Sequence, residues 1–280
     1  MSTHRAAYLI AAVLAVACLL ASCAKGPEPV RPGTPAFYWA GAETAYKSGD
    51  YVKTSETLAQ LTGTDNEYVA RARPWLVVVA SGLSQGYSDV ANSYESGGKM
   101  VRGDREPFRK ATREARVAAS QCAMLFAETV HRFVNTNKDA TVALGFGYPA
   151  GEITEPAPLA KLSKGLFIQG AEADTLLKAM LKRGIVRASC RVVGVDKEKD
   201  ADKAAEIFKK GAVPRDDFMI GAAGMLYDLA DLFGPKKEDM PQRAKALCTE
   251  ANDALAAVPP TKKTKDLQAK IAKTLKKLGA

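Results

Sequence analysis

The sequence predicts an all-α protein, an irregular helical array or solenoid with no convincing sheet. Three observations carry this. Alanine is abundant and runs of β-branched residues are scarce, which favours helix over strand. Apolar residues recur at helical spacing along most of the chain. Between those stretches stand breaks such as Ser48-Gly49-Asp50, Gly97-Gly98 and Pro259-Pro260.

The N-terminus precedes the array. Arg5 supplies a short positive region, and Ala6 to Leu20 is an uncharged run of about 15 residues, broken only by Tyr8. That suits the apolar core of a signal peptide and falls short of the roughly 20 residues a membrane-spanning helix needs. Leu20-Ala21-Ser22-Cys23 follows. An aliphatic residue, two small residues and a Cys resemble the lipobox of bacterial lipoproteins. The small residues let an extended segment enter a peptidase groove, and the Cys thiol is the nucleophile that takes the diacylglycerol. The resemblance implies a signal peptide over 1–22, cleavage before Cys23, and acyl chains such as palmitate on Cys23 as a covalent anchor. The next residue is Ala24 rather than Asp. In that family this points to the outer membrane, facing the periplasm, over the inner one. Residues 23–35 are rich in Pro and Gly and read as a tether.

The helical body is expected over 36–258. Phe37 to Lys47 forms a first helix with Phe37, Ala40, Gly41, Thr44 and Ala45 on one face. Tyr51 to Leu61 follows, with Tyr51, Ser55, Leu58 and Leu61. A short helix from Glu67 runs toward Pro74, and Trp75 to Tyr94 is a long helix ended by Gly97-Gly98. Asp104 is a candidate N-cap for a helix reaching Val134, with an apolar stripe through Phe108, Ala111, Ala115, Ala118, Cys122, Leu125, Val130 and Phe133. Residues 135–158 are the least regular and offer a sub-boundary or a functional loop. Helices resume at Leu159, Glu172, Asp200, Arg215, Pro241 and Thr264.

Two segments echo one another. Gly82, Gly86 and Asp89 precede a helix that opens at Pro107, as Gly221, Gly224 and Asp228 precede one that opens at Pro241.

Trp39 to Tyr51, with small residues on the first helix, a Tyr, and Gly-Asp-Tyr at the turn, resembles a tetratricopeptide (TPR-like) hairpin. Ala40, Gly41 and Ala45 allow close helix approach, Tyr46 and Tyr51 fill the wedge, and Gly49 permits the turn. The resemblance covers about one hairpin and implies a divergent array. Tyr87 to Tyr94, followed by a Pro- and Arg-led helix, is similar to the T-component lipoproteins of TRAP transporters.

The formal charge is +9, from 40 basic and 31 acidic residues; loss of Arg5 with the signal leaves about +8. Anionic partners are favoured, and nucleic acid is not expected. If Cys23 carries lipid, Cys122, Cys190 and Cys248 remain, an odd number on apolar stretches, best read as buried thiols, with one disulfide left open. The mature chain's one histidine, His131, sits mid-helix and reads as a packing residue. Gly145-Phe146-Gly147-Tyr148-Pro149 lacks the spacing and the Lys-Ser or Lys-Thr pair of a phosphate loop. Glu152 and Glu155 read as solvated carboxylates rather than an acid pair.

Trp39, Tyr46, Tyr51 and Trp75 are therefore the candidate ligand or partner surface, with core packing the plainer reading of the two tryptophans. Residues 259–280 form a basic amphipathic helix. Lys262, Lys263, Lys270, Lys273, Lys276 and Lys277 are candidate contacts to an anionic surface, and Leu267, Ile271, Leu275 and Leu278 form its apolar stripe. The expectation is a non-catalytic envelope lipoprotein that binds another envelope protein across its helices, with no cofactor beyond the lipid on Cys23. A ligand-binding accessory of a TRAP-type transporter and a cell-wall hydrolase are the alternatives.

Overall fold

The computed structural model describes residues 31–149, 153–195, 200–234 and 237–279. The signal segment, Cys23 and Glu152 lie outside them. The described chain is a helical array: α1 (Pro35–Lys47), α2 (Tyr51–Thr62), α3 (Val69–Met100), α4 (Glu106–Thr136), α5 (Ala157–Leu162), α6 (Ala171–Val192), α7 (Ala201–Lys209), α8 (Arg215–Ala230), α9 (Pro241–Ala256) and α10 (Lys262–Lys277). No helix among the described residues is long and apolar enough to cross a membrane.

Local chemistry sets several boundaries. The Thr34 side chain caps α1, and Pro35 sits at its first turn. Gly49 takes φ +78° between α1 and α2, a left-handed conformation that a Cβ disfavours. Asp50 caps α2 through Lys53 N at 3.0 Å. Thr261 and Thr264 form a reciprocal capping box at the start of α10.

Three expectations need correction. Gly97-Gly98 does not end α3, which is one helix from Val69 through Pro74 to Met100. The two glycines instead let α3 and the Phe108 ring meet: a Cβ on Gly97 would stand 2.9 Å from that ring. The buried face of α1 is Ala42, Ala45 and Tyr46, while Phe37, Ala40 and Thr44 are exposed. On α4 the buried row runs Phe108, Thr112, Ala115, Ala119, Ala123, Phe126, Val130 and Phe133, a step away from the expected stripe in the helix middle. There alanines lie on every face, so sequence periodicity cannot choose among them.

A small sheet is also present. β1 (Thr141–Ala143) pairs antiparallel with β2 (Ala212–Pro214), Val142 opposite Val213. It crosses the irregular 135–158 region to the C-terminal half. Arg215 reinforces it, donating to the carbonyls of Asn137 at 3.1 Å and Ala257 at 3.2 Å. One core cluster takes residues from Ala42 to Ile271, so both halves share an interior.

The helices α3, α4, α6, α8 and α9 surround that interior, and α6 lies between α3 and α8. Both partners approach α6 through small residues. A Cβ on Gly82 would fall 2.7 Å from Ile185 Cα, one on Gly86 2.7 Å from Leu181 Cα, and one on Gly221 2.8 Å from Val192 Cα. Each partner also sends an aspartate to α6: Asp89 pairs with Arg187, and Asp228 with Arg191 at 3.0 Å. The echo seen in the sequence thus has a geometric counterpart: the aspartates of α3 and α8 meet α6 one turn apart, at Arg187 and Arg191, and Gly82 and Gly221 approach it about two turns apart, at Ile185 and Val192.

α10 docks on α9 and α8. Ile271 is fully buried, and Leu267, Leu275 and Leu278 pack on the core. Lys262, Lys263, Lys270, Lys273, Lys276 and Lys277 are all exposed. The helix therefore closes the end of the array with its polar face outward.

Candidate functional site

The turn between α1 and α2 brings Tyr46 and Tyr51 together edge to face, with ring centroids 5.5 Å apart. Tyr46 ends a turn of α1 and Tyr51 begins α2, so the tight Gly49 turn forces the rings into one place. The Gly145–Tyr148 loop then folds over them. Phe146 stacks on Tyr46 at 5.2 Å and on Trp39 at 5.2 Å, and meets Trp75 at 4.9 Å. The Tyr46 hydroxyl donates to the Gly147 carbonyl at 3.3 Å. Gly145 is wedged between the tryptophans: a Cβ there would lie 2.9 Å from Trp75 Nε1 and 3.2 Å from Trp39 Cη2. Gly147 holds φ +60°, which turns the loop back.

Phe146 is thus the ring that joins all the aromatics singled out in the sequence except Tyr51, which Tyr46 connects. It stands in the irregular 135–158 stretch, where no helical or strand periodicity singles out a residue. Its flanking glycines were the available signal, since they mark close backbone approach.

The four aromatic candidates divide by burial. Trp75 is 1% exposed and belongs to the core. Tyr46 and Tyr51 are 7% and 6% exposed, so only their edges reach the surface. Trp39 is half-buried, stacked on Tyr68 at 5.5 Å and covered by the Arg71 guanidinium. Burial, then the neighbouring Tyr51 and Tyr148, pushes the Tyr46 phenol well above its usual range, and burial raises Tyr51 as well. Both phenols therefore stay neutral and act as hydrogen-bonding, apolar surfaces.

Beside this cluster lies a groove of about 950 Å³, walled by the α1–α2 turn, the Gly145–Tyr148 loop and one face of α6. Its floor carries Tyr46, Tyr51, Phe146 and Leu181; Lys47, Lys178 and Lys182 stand around it with Glu43 and Asp50. Tyr148 links the loop to the interior, its ring 5.5 Å from Phe208 and its hydroxyl 3.6 Å from Cys190 Sγ. The groove thus sets an aromatic side against a cationic rim.

Other candidates fall elsewhere. His131 is exposed and faces Glu250 at 3.2 Å across α4 and α9. Cys122, Cys190 and Cys248 are free thiols, of which Cys190 and Cys248 are buried as expected and Cys122 is only half-buried; burial pushes Cys122 and Cys248 up to about 11. Among the described residues no three His, Cys, Asp or Glu side chains are grouped to hold a metal ion.

No protein-family model matches this chain, and no curated protein is similar to it.

Proposed function

We propose that this chain is a lipid-anchored binding protein of the bacterial envelope, without catalysis of its own. In this reading Cys23 holds it to the membrane and the groove beside the TPR-like hairpin seats an extended segment of another envelope protein. The observation that carries the reading is the groove. Aromatic edges at Tyr46, Tyr51 and Phe146 offer flat apolar contact at low entropic cost. Lys47, Lys178 and Lys182 offer charge to a segment bearing carboxylates. The surrounding wall is held by the Tyr46–Gly147 hydrogen bond and the Phe146 stack, so little ordering accompanies binding.

The test is site-specific photocrosslinking in cells. A photoreactive residue at Lys178 should trap one discrete partner, and Lys47→Glu should weaken that adduct. The same probe at Lys245, on α9, serves as the control. An adduct of equal strength at both positions, or none at Lys178, would remove the groove from the function.

A further inference from the structure

A second concavity, of about 440 Å³, lies between the last turns of α3, the first half of α4 and the Lys237-Glu238 segment. It shares no lining residue with the aromatic groove. Six basic side chains line it, Lys99, Arg105, Arg109, Arg113, Arg116 and Lys237, against two acids, Glu95 and Glu238, for a net formal charge of +4.

The arginines are not scattered. Arg105, Arg109, Arg113 and Arg116 are separated by four, four and three residues, which places them on one face of α4. Left alone, this row is unfavourable. Like charges one helical turn apart repel, and cations near a helix N-terminus oppose its dipole. The nearby carboxylates relieve only part of it. Glu95 is shared between Lys99 at 2.8 Å and Arg116 at 2.7 Å, and the Lys99 hydrogen bond chiefly holds its carboxyl below the usual range. Glu238 approaches the same Arg116 at 3.6 Å. Arg113 has only a 3.7 Å approach to exposed Glu106. The Arg109 guanidinium has no ion pair or hydrogen bond among the described residues. Two arginines therefore face the cleft with most of their donors available. The floor beneath them is shaped by Gly98 and the buried Phe108 ring, in contact with each other.

We propose that this cleft binds a compact polyanion that carries phosphate groups. Planar guanidinium forks match pairs of phosphate oxygens. Arg109 and Arg113 would each take such a pair, and Lys99 and Lys237 would contribute point charge at the rim. A bound anion would offset both the repulsion along α4 and the opposed dipole. The volume is that of a small-molecule site and suits a single ligand rather than a polymer. The phosphate could belong to a soluble metabolite or to a lipid headgroup.

Calorimetric titration of the full chain in a non-ionic detergent separates these cases. The probes are inorganic pyrophosphate, water-soluble dihexanoyl phosphatidic acid, and citrate as a polyanion without phosphate. At least one phosphate probe should bind, and more tightly than citrate. Arg109→Gln with Arg113→Gln should weaken it about tenfold or more. Lys203→Gln with Lys209→Gln, which lowers the net charge equally at two exposed positions on α7 away from the cleft, should leave it unchanged. Preference for the phosphatidic acid assigns a lipid source, and preference for pyrophosphate a soluble one. Circular dichroism must show the arginine variant folded; since both side chains are exposed, it should melt as the parent does. Absence of binding, equal binding of citrate, or equal loss in the α7 variant would overturn the proposal.

Discussion

Gly184 on α6 lies directly against Gly82 on α3: a Cβ at 184 would penetrate the Gly82 carbonyl oxygen and stand 2.8 Å from the Gly86 amide nitrogen. Backbone touches backbone here, so no side chain can move aside. Gly184→Ala should destabilise the fold by ~1–3 kcal/mol through overpacking, although alanine is the better helix former. Urea denaturation checks this. A variant as stable as the parent would mean that α3 and α6 are further apart than described.

The half-buried Cys122 and the buried Cys248 make stability depend on alkaline pH. Cys122 and Cys248 are raised from the ordinary 9.0 to about 11 by burial. The unfolded chain then loses these protons before the folded one does. Their contribution is complete below about pH 9 and fades as pH rises toward 11. The loss should be of the order of 1–3 kcal/mol per thiol at most, and Cys248→Ala should flatten the slope. Chemical denaturation across that range measures it; a slope that both Cys→Ala variants leave intact would assign the effect elsewhere.

The two faces of α10 should separate in experiment. Ile271 is fully buried against the array, and Ile271→Ala should cost ~2–4 kcal/mol. Lys273→Gln with Lys276→Gln touches only exposed residues and should leave the melting temperature unaltered. If the basic face also meets anionic lipid, that double variant should lose salt-sensitive co-sedimentation of the unlipidated protein with anionic vesicles. Equal co-sedimentation of the two proteins would leave α10 as a cap alone.

Anchoring through Cys23 predicts that Cys23→Ala moves the protein from the membrane to the soluble fraction. Metabolic labelling with an alkyne fatty acid should mark the parent and not the variant. A variant that is still labelled would reject Cys23 as the acylated residue.

Parts of the candidate site were legible in the sequence. Gly49 marked the turn, and the turn obliges Tyr46 and Tyr51 to meet. The glycines around Phe146 marked a close approach, but not to what. The arginine row on α4 was legible as spacing, yet it was not singled out. Its meaning depends on α3 and the Lys237-Glu238 segment forming the opposite walls.

The sequence by itself determined the helices, most of their ends and the stripe that docks α10, because capping, glycine turns and strong periodicity are local. It also displayed the Gly-Gly-Asp echo. Only the tertiary structure decided that both copies grip α6, which alanine-rich face of α4 is buried, and that β1 finds β2 across some 70 residues. It also decided that Trp75 is interior while Trp39 is half-exposed. These outcomes rest on which small residues let backbones touch and on which ring fills the space left, and both are properties of pairs of distant segments rather than of any one.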